Sequence, residues 1–233
     1  MPEPRRHPRL RSLRAATARA CLTLTTTLVL ATSTAAAPLP DDVATLPGNG
    51  VIIESARRPD VAVIVYREVL GEIGGADRGP TLTIFGDGRM VAHYPLYMKR
   101  AGDYEKRLAP SELDGLLRSL AAKGVLDFDH TATRAATRAS MMAARQRALA
   151  TNTPIQLFEA VDASTTVIEV AVERYVAARP GAREVRNATT RAVWTGLRAD
   201  VDQHPDVPAL RALGAAEHEL RALRDRPGFT RVR

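Results

Sequence analysis

Cysteine is nearly absent from this chain, and its scarcity excludes two classes of protein. The 233 residues include one cysteine, Cys21. An intramolecular disulfide needs two cysteines, so stability must come from a packed core, for which about 200 residues are enough. Cys21 lies in a segment with the features of a cleavable signal. A catalytic cysteine in the mature protein is therefore excluded as well.

A hydrophobic run long enough to cross a membrane is also missing. The apolar stretch Cys21–Ala31 holds 11 residues and is diluted by threonines, whereas a spanning helix needs roughly 20 residues. Six arginines precede this stretch, and the small residues of Thr32–Ala37 follow it. That order is typical of a secretory signal peptide. We predict that residues 1–37 direct export to the periplasm or the exterior and are cleaved after Ala35 or Ala36, which leaves no transmembrane helix. The alternative that stays open is a leader retained as an anchor.

Positive charge is concentrated in the same segment. The whole chain has a formal net charge of +7 and a pI near 10.1, values that would suit a nucleic acid partner. Without residues 1–37 the net charge falls to +2. Because the basicity belongs mostly to the signal, we do not expect the mature chain to bind nucleic acid.

The common motifs of catalysis and cofactor binding are missing too. The sequence has no Gly-x-Ser-x-Gly elbow, no Ser-x-x-Lys pair, no His-Glu-x-x-His helix and no Gly-Lys-Ser/Thr phosphate loop. Ser119 and Lys123 are four positions apart, one step too far for Ser-x-x-Lys. The sequence predicts no cofactor and favours a protein without enzymatic activity. A Ser/His/Asp set assembled by the fold stays open as an alternative.

The mature chain carries the pattern of a small α+β domain with an antiparallel sheet. Alternating and β-branched runs predict its strands, which we expect near 61–70, 81–86, 89–94, 165–173 and, as an open option, 183–187. Leucines at i, i+3, i+4 and i+7 predict core-facing helices near 110–123 and 207–225. A further helix near 132–150 is rich in alanine and arginine, and its thin apolar stripe predicts an exposed position. The expected bounds are a flexible linker at 38–50, one domain at 51–226 and a tail at 227–233.

Thr81–Tyr94 predicts a β-hairpin that turns at Gly86-Asp87-Gly88. Asp-Gly between alternating segments favours a type I′ turn, in which both central residues have φ > 0. That turn pairs Phe85 with Met90 and Ile84 with Val91, and it places Leu82, Ile84, Val91 and His93 on one face. A calcium loop would need further acids at alternate positions, and the sequence has none nearby. The glycines therefore indicate a turn.

Four stretches together resemble a loose group of secreted bacterial domains of unknown function. They are "TLTIFGDGRM", "LAPSELDGLLRSLAAKGVLDF", "DASTTVIEV" and "PALRALGAAEHELRAL", about a third of the chain. The resemblance implies a small α+β fold and export, and it transfers no catalytic residue. Members of the group usually carry Ser or Thr before the helix proline, where this chain has Ala109. The side-chain cap is therefore expected to be lost.

One candidate site is the sequence "DFDH", which brings Asp127, Asp129 and His130 together just past a helix end. Carboxylates and imidazole bind metals when three or four of them converge. The alternative is a polar junction between a helix and a loop, and the sequence favours that alternative.

A second candidate is the basic patch on the alanine-rich helix, formed by Arg134, Arg138, Arg145 and Arg147. Such a patch suits an anionic polymer or lipid head groups. The alternative is a merely solvated face, which the thin apolar side of the helix favours. We expect an exported, non-catalytic domain of the envelope or exterior that binds a protein or an anionic envelope polymer. The alternatives are a hydrolase or metal-dependent enzyme with a spatially assembled site, and a periplasmic assembly or accessory protein.

Overall fold

The computed structural model describes residues 51–71, 79–152 and 163–232. The predicted signal peptide and linker lie outside these residues. Along the chain the elements are β1 (Ile52–Glu54), β2 (Ala62–Val69), β3 (Thr81–Phe85), β4 (Arg89–Tyr94), β5 (Gly102–Arg107), α1 (Pro110–Ala122), α2 (His130–Ala150), β6 (Thr165–Val176), β7 (Val185–Thr195), α3 (Leu197–Gln203), α4 (Pro208–Arg224) and β8 (Thr230–Arg231). The antiparallel sheet and the helices confirm the predicted α+β fold.

The described strands form one antiparallel sheet of eight, centred on β2 and β6. From one edge the order is β7, β6, β2, β3, β4, β5 and β8, and β1 pairs with the far end of β6. β2 therefore lies between β3 and β6, with Ile64 opposite both Ile84 and Val170. Its β-branched sequence predicts such a central, buried position.

One face of the sheet forms the core with α1 and α4. The leucine stripes predicted for these helices are buried, namely Leu113, Leu116, Leu117 and Leu120 in α1 and Leu210, Leu213, Leu220 and Leu223 in α4. The alternation predicted for β6 is also confirmed, because Ile168, Val170 and Val172 are buried in the same cluster. Helix α1 keeps half of a capping box despite Ala109, since Glu112 Oε2 accepts a hydrogen bond from the Ala109 backbone N–H at 2.7 Å.

The predicted register of the β3–β4 hairpin is wrong by one residue. Ile84 pairs with Met90 and Thr83 with Val91, so the loop has three residues and only Gly88 takes a positive φ, of 83°. A one-residue slip moves every side chain to the other face. Met90 and Ala92 are therefore in the core with Ile84, whereas Val91 and His93 lie on the open face.

The turn is fixed by neighbouring backbone as well as by its own residues. Gly88 O accepts a hydrogen bond from the Leu108 N–H at 2.8 Å, and the Gly86 N–H donates to Val61 O at 2.9 Å. A Cβ atom on Gly86 would lie 1.7 Å from Ala56 O. The β1–β2 connection therefore packs directly on this turn and leaves no room for a side chain at position 86.

Two segments form elements that periodicity does not predict. β5 lies in a stretch that the sequence indicates to be a polar connection, and it pairs with β4 through its backbone although its side chains are mostly charged. The spacing of Val193, Leu197 and Val201 suggests one helix, but the structure divides this stretch. Val193 belongs to β7, Gly196 has φ 72°, and α3 begins at Leu197. Helical spacing across the glycine is thus coincidental.

Candidate functional site

Among the described helices, α2 has the smallest share of buried residues, and its first half is attached at several points. The Asp129 side chain caps it by accepting a hydrogen bond from the Ala132 N–H at 2.9 Å. His130 Nε2 lies 3.2 Å from the backbone oxygen of Arg191 in β7. The guanidinium of Arg134 stacks over the Trp194 ring at 5.1 Å. These contacts hold the start of α2 against the edge strand β7.

A serine-centred cluster holds the middle of α2 to the connection between α3 and α4. Ser140 Oγ donates to Asp206 Oδ1 at 2.6 Å, and His204 Nδ1 lies 3.1 Å from the same Ser140 oxygen. In a catalytic triad the histidine lies between the serine and the acid, whereas here the serine lies between the other two. The hydrogen bond from Ser140 lowers the pKa of Asp206, helped by His204 and Arg147, which makes this carboxylate a weak base. The cluster therefore suits attachment better than catalysis.

Beyond Ser140, α2 is exposed to solvent. Met141, Met142 and Leu149 are 43%, 51% and 71% exposed. The helix has no acidic residue. The patch residues Arg138 and Arg145 lie on the exposed side of the helix and, among the described residues, take part in no salt bridge. The prediction of a mostly exposed helix is confirmed, and it adds exposed apolar side chains to the basic patch.

Arginines elsewhere in the described fold contrast with those of α2, because many of them face carboxylates. Arg174 pairs with Glu54 and Glu184, and Arg191 pairs with Glu169. Among the described residues, no acidic side chain lies within 4.0 Å of Arg134, Arg138, Arg145 or Arg147. Arg147 interacts with Asp206 only electrostatically, over a longer distance. Unbalanced positive charge is thus concentrated on α2.

The residues of the "DFDH" sequence make separate contacts. Asp127 Oδ2 accepts a hydrogen bond from the Tyr175 hydroxyl at 2.6 Å, Asp129 caps α2, and His130 contacts β7. Within the three described ranges, no group of three or more His, Cys, Asp or Glu side chains is close enough to hold a metal ion. Each of the three residues thereby has a structural partner of its own.

A groove of about 430 Å³ opens at the foot of α2. Its walls are mostly apolar and come from the end of α1, the first turns of α2 and the start of α4. The lining includes Lys123, Phe128, Ala132, Ala136, Val207 and Pro208, together with the two acids Asp127 and Asp129. The groove therefore suits an apolar side chain better than a hydrated ion.

Two further polar clusters resemble parts of catalytic sites. Lys123 Nζ donates to Ser119 Oγ at 2.5 Å, and both groups contact Glu219 Oε2 at 2.9 Å. A Ser–Lys catalytic pair uses the neutral amine as its base, whereas Lys123 Nζ already forms an ion pair with Glu219.

The second cluster is a histidine–aspartate pair, in which His93 Nδ1 lies 2.6 Å from Asp103 Oδ1 on the open face of the sheet. That pair has the orientation of a triad's acid and histidine.

A buried ionic network between the sheet and α4 was not predicted. Glu217 is 2% exposed and Arg224 is 4% exposed. Glu217 Oε1 accepts from the Tyr66 hydroxyl at 3.1 Å and from Arg198 Nη2 at 2.8 Å. Arg224 contacts Glu68 at 3.4 Å and Asp225 at 2.9 Å. Arg221, at 3.7 Å from Glu217 Oε1, brings the network to three carboxylates and three guanidiniums. The network ties α3 and α4 to the sheet.

Three buried tyrosines of the sheet donate hydrogen bonds to carboxylates, and two of them, Tyr66 and Tyr94, reach the ionic network. Burial raises the pKa of Tyr66, and the nearby carboxylates Glu217 and Glu68 raise it further. Burial likewise raises the pKa of Tyr94 and of Tyr175, whose hydroxyls donate to Asp225 and Asp127. The folded protein therefore holds all three as neutral phenols above the pH at which they ionise in the unfolded chain.

We expect stability to fall above about pH 10, the ordinary tyrosine pKa. A group with a raised folded pKa contributes stability that is complete below its unfolded pKa and is lost as the pH rises towards its folded pKa. Each such tyrosine lowers the free energy of unfolding by about 1.4 kcal/mol per pH unit in that window. Urea unfolding between about pH 8 and pH 11.5 measures this slope. Tyr175→Phe should reduce it by about one tyrosine, and an unchanged slope would contradict the effect of burial.

Comparison with known proteins gives no relative, since no family model, curated protein or solved structure matches the chain. Among the described helices, none has the length and apolarity needed to cross a bilayer.

Proposed function

We propose that this protein is an exported interaction domain that binds an anionic partner through α2. The observation that carries the proposal is the concentration of unbalanced positive charge on one exposed helix. Four arginines and no acid lie within its 21 residues, while many of the arginines elsewhere in the described fold face carboxylates. Residues 1–37 contain arginines, then an apolar run, then small residues, and this order supports export.

The way in which α2 is attached also supports binding. Its first half is fixed by Asp129, by the stack of Arg134 on Trp194 and by the Ser140 cluster. The exposed second half is therefore presented in a defined orientation. A preorganised surface loses less entropy on binding than a flexible one. Two exposed methionines and an exposed leucine lie on the same helix as the arginines. The surface therefore suits a partner that carries both apolar groups and negative charge.

Charge neutralisation on α2 tests the proposal. The double variant R138Q/R145Q removes two arginines that make no described contact, and the probe is fluorescent poly-L-glutamate at low salt. At about 1 kcal/mol for each arginine near an anionic surface, binding should weaken roughly tenfold or more. Fluorescence anisotropy of the full chain measures the affinity.

A matched control separates a site from overall charge. R118Q/R211Q makes the same change in net charge at exposed positions of α1 and α4, and it should leave binding within about twofold. An equal loss in both double variants, or no binding by the unaltered protein, would contradict a site on α2. Cell fractionation tests export independently, because a mature chain retained in the cytoplasm is incompatible with it.

A further inference from the structure

We propose that the anionic partner is an acidic amphipathic helix of another protein, which packs along α2 with one apolar side chain in the groove at its foot. The inference rests on the proposed function and specifies its partner. It depends on three features: the spacing of the exposed residues of α2, the position of the groove and the charge beside them.

The exposed side of α2 carries a seam with coiled-coil spacing. Steps of three and four residues place its members on one face of a helix. They are Ala132, Ala135, Ala139, Met142, Gln146 and Leu149. All six are exposed, and the buried positions Thr133 and Ser140 lie on the opposite side of the helix. No member of the seam is therefore buried in the core.

The seam continues into the groove. Ala132 is the first member of the seam and also lines the groove with its neighbour Ala136. Alanines at this end let a second backbone approach closely, and the groove then offers an apolar space beside Phe128 and Pro208. Met142 and Leu149 give the other end of the seam larger contact area. This shape fits a helix that carries an apolar anchor at one end.

Charge selects an acidic helix and fixes its direction. Arg138 and Arg145 occupy equivalent positions beside the seam, one heptad apart, where coiled coils choose their partners by charge. The corresponding positions on the other flank are alanines. Carboxylates of the partner must lie near these arginines. Its end at the groove must be free of acid, because Asp127 and Asp129 border that end.

Two other occupants fit less well. A second copy of the chain packed through its own α2 would place no carboxylate opposite Arg138 and Arg145, because that helix has none. A lipid surface is recognised by faces rich in Trp, Phe and Leu. The seam of α2 has no aromatic residue and only Met142 and Leu149 as large apolar side chains.

The probe for this proposal is a designed helical peptide of 21 residues, the length of α2. It carries leucine at the seam positions and glutamate on both flanks, except at the end that faces the groove. A scrambled peptide of the same composition controls for charge. The full chain should bind the designed peptide at least about tenfold more tightly than the scrambled one, since the seam adds apolar contacts.

Neighbouring methionines provide a matched pair of variants. Met142→Glu places a carboxylate in the seam and should weaken binding of the designed peptide at least about tenfold. Met141→Glu makes the same change at an exposed residue outside the seam and should alter binding by less than about threefold. Both positions are exposed, so circular dichroism should show the same folded spectrum for both variants.

The groove is tested by filling it. Ala136→Trp occupies the space meant for the partner's anchor, whereas Ala144→Trp adds the same side chain at an exposed position away from the groove. Only Ala136→Trp should weaken binding of the designed peptide. Equal effects of the two tryptophans would overturn the groove as the anchor site.

Failure of this proposal and failure of the proposed function give different results. One result is that the designed and scrambled peptides bind equally while R138Q/R145Q still weakens the binding of poly-L-glutamate. That result would overturn an amphipathic helix as the partner and leave an anionic polymer. Binding to phosphatidylglycerol vesicles that exceeds peptide binding would identify a lipid surface instead. A concentration-dependent dimer disrupted by Met142→Glu would identify a second copy. Loss of all anionic binding would overturn both proposals.

Discussion

Replacing Glu217 with alanine should destabilise the protein by about 3 kcal/mol. The Glu217 side chain is 3% exposed and holds Arg198 at 2.8 Å and Arg221 at 3.7 Å. Its removal leaves the fully buried Tyr66 hydroxyl without this acceptor. Breaking a buried ion pair costs about 3–5 kcal/mol. The lower end applies because Arg198 and Arg221 are 49% and 30% exposed and can be hydrated.

Two controls divide this loss between charge and hydrogen bonding. Glu217→Gln keeps an acceptor for Tyr66 and most of the volume, so its loss should be intermediate. Glu173→Ala removes an exposed glutamate and should change stability by less than about 0.5 kcal/mol. Urea unfolding near neutral pH measures all three variants. Equal losses for Glu217→Ala and Glu173→Ala would show that the network contributes nothing.

Replacing Gly86 with alanine should cost about 3 kcal/mol or more, at the upper end of overpacking effects. The new Cβ would lie 1.7 Å from Ala56 O and 2.7 Å from Ala56 C. Both are backbone atoms, so relief requires the β1–β2 connection to move. That movement would disturb the hydrogen bond from the Gly86 N–H to Val61 O.

The same substitution at Gly115 is the matched control. Gly115 lies inside α1, and a Cβ atom there would meet nothing within 4 Å. Alanine is favoured over glycine in a helix interior by roughly 0.5–1 kcal/mol, so Gly115→Ala should raise the melting temperature. A melting temperature for Gly86→Ala equal to that of the unaltered protein would show that the close contact at position 86 is absent in solution.

Local periodicity was enough to predict α1, α4 and β6, three elements that bury apolar side chains. The leucine stripes of α1 and α4 and the alternation in β6 are strong signals because each element meets the core with one face. The hairpin was predicted from the same kind of signal, yet its register was wrong. Its turn length depends on contacts with Leu108 and Ala56, and residues distant in sequence make no local pattern.

The polar interior escaped prediction for a related reason. Glu217 lies four residues after Leu213 and three before Leu220, so its position within the apolar stripe indicates a buried charge. Its partners cannot be predicted from local spacing, since Tyr66 and Arg198 come from other elements. The candidate residues Asp127, Asp129 and His130 show the reverse case. They are adjacent in sequence but face different partners.

Contacts between distant parts of the chain also determine when this protein can fold. The central strand β2 pairs with β6, and Tyr66 meets Glu217 across 151 positions. Folds dominated by such distant pairings form slowly, because long loops must close before any contact is gained. During synthesis the first half of the chain would lack its central neighbour until β6 had left the ribosome. A chain that remains unfolded for so long suits the proposed export, if the protein crosses the membrane unfolded and folds after translocation.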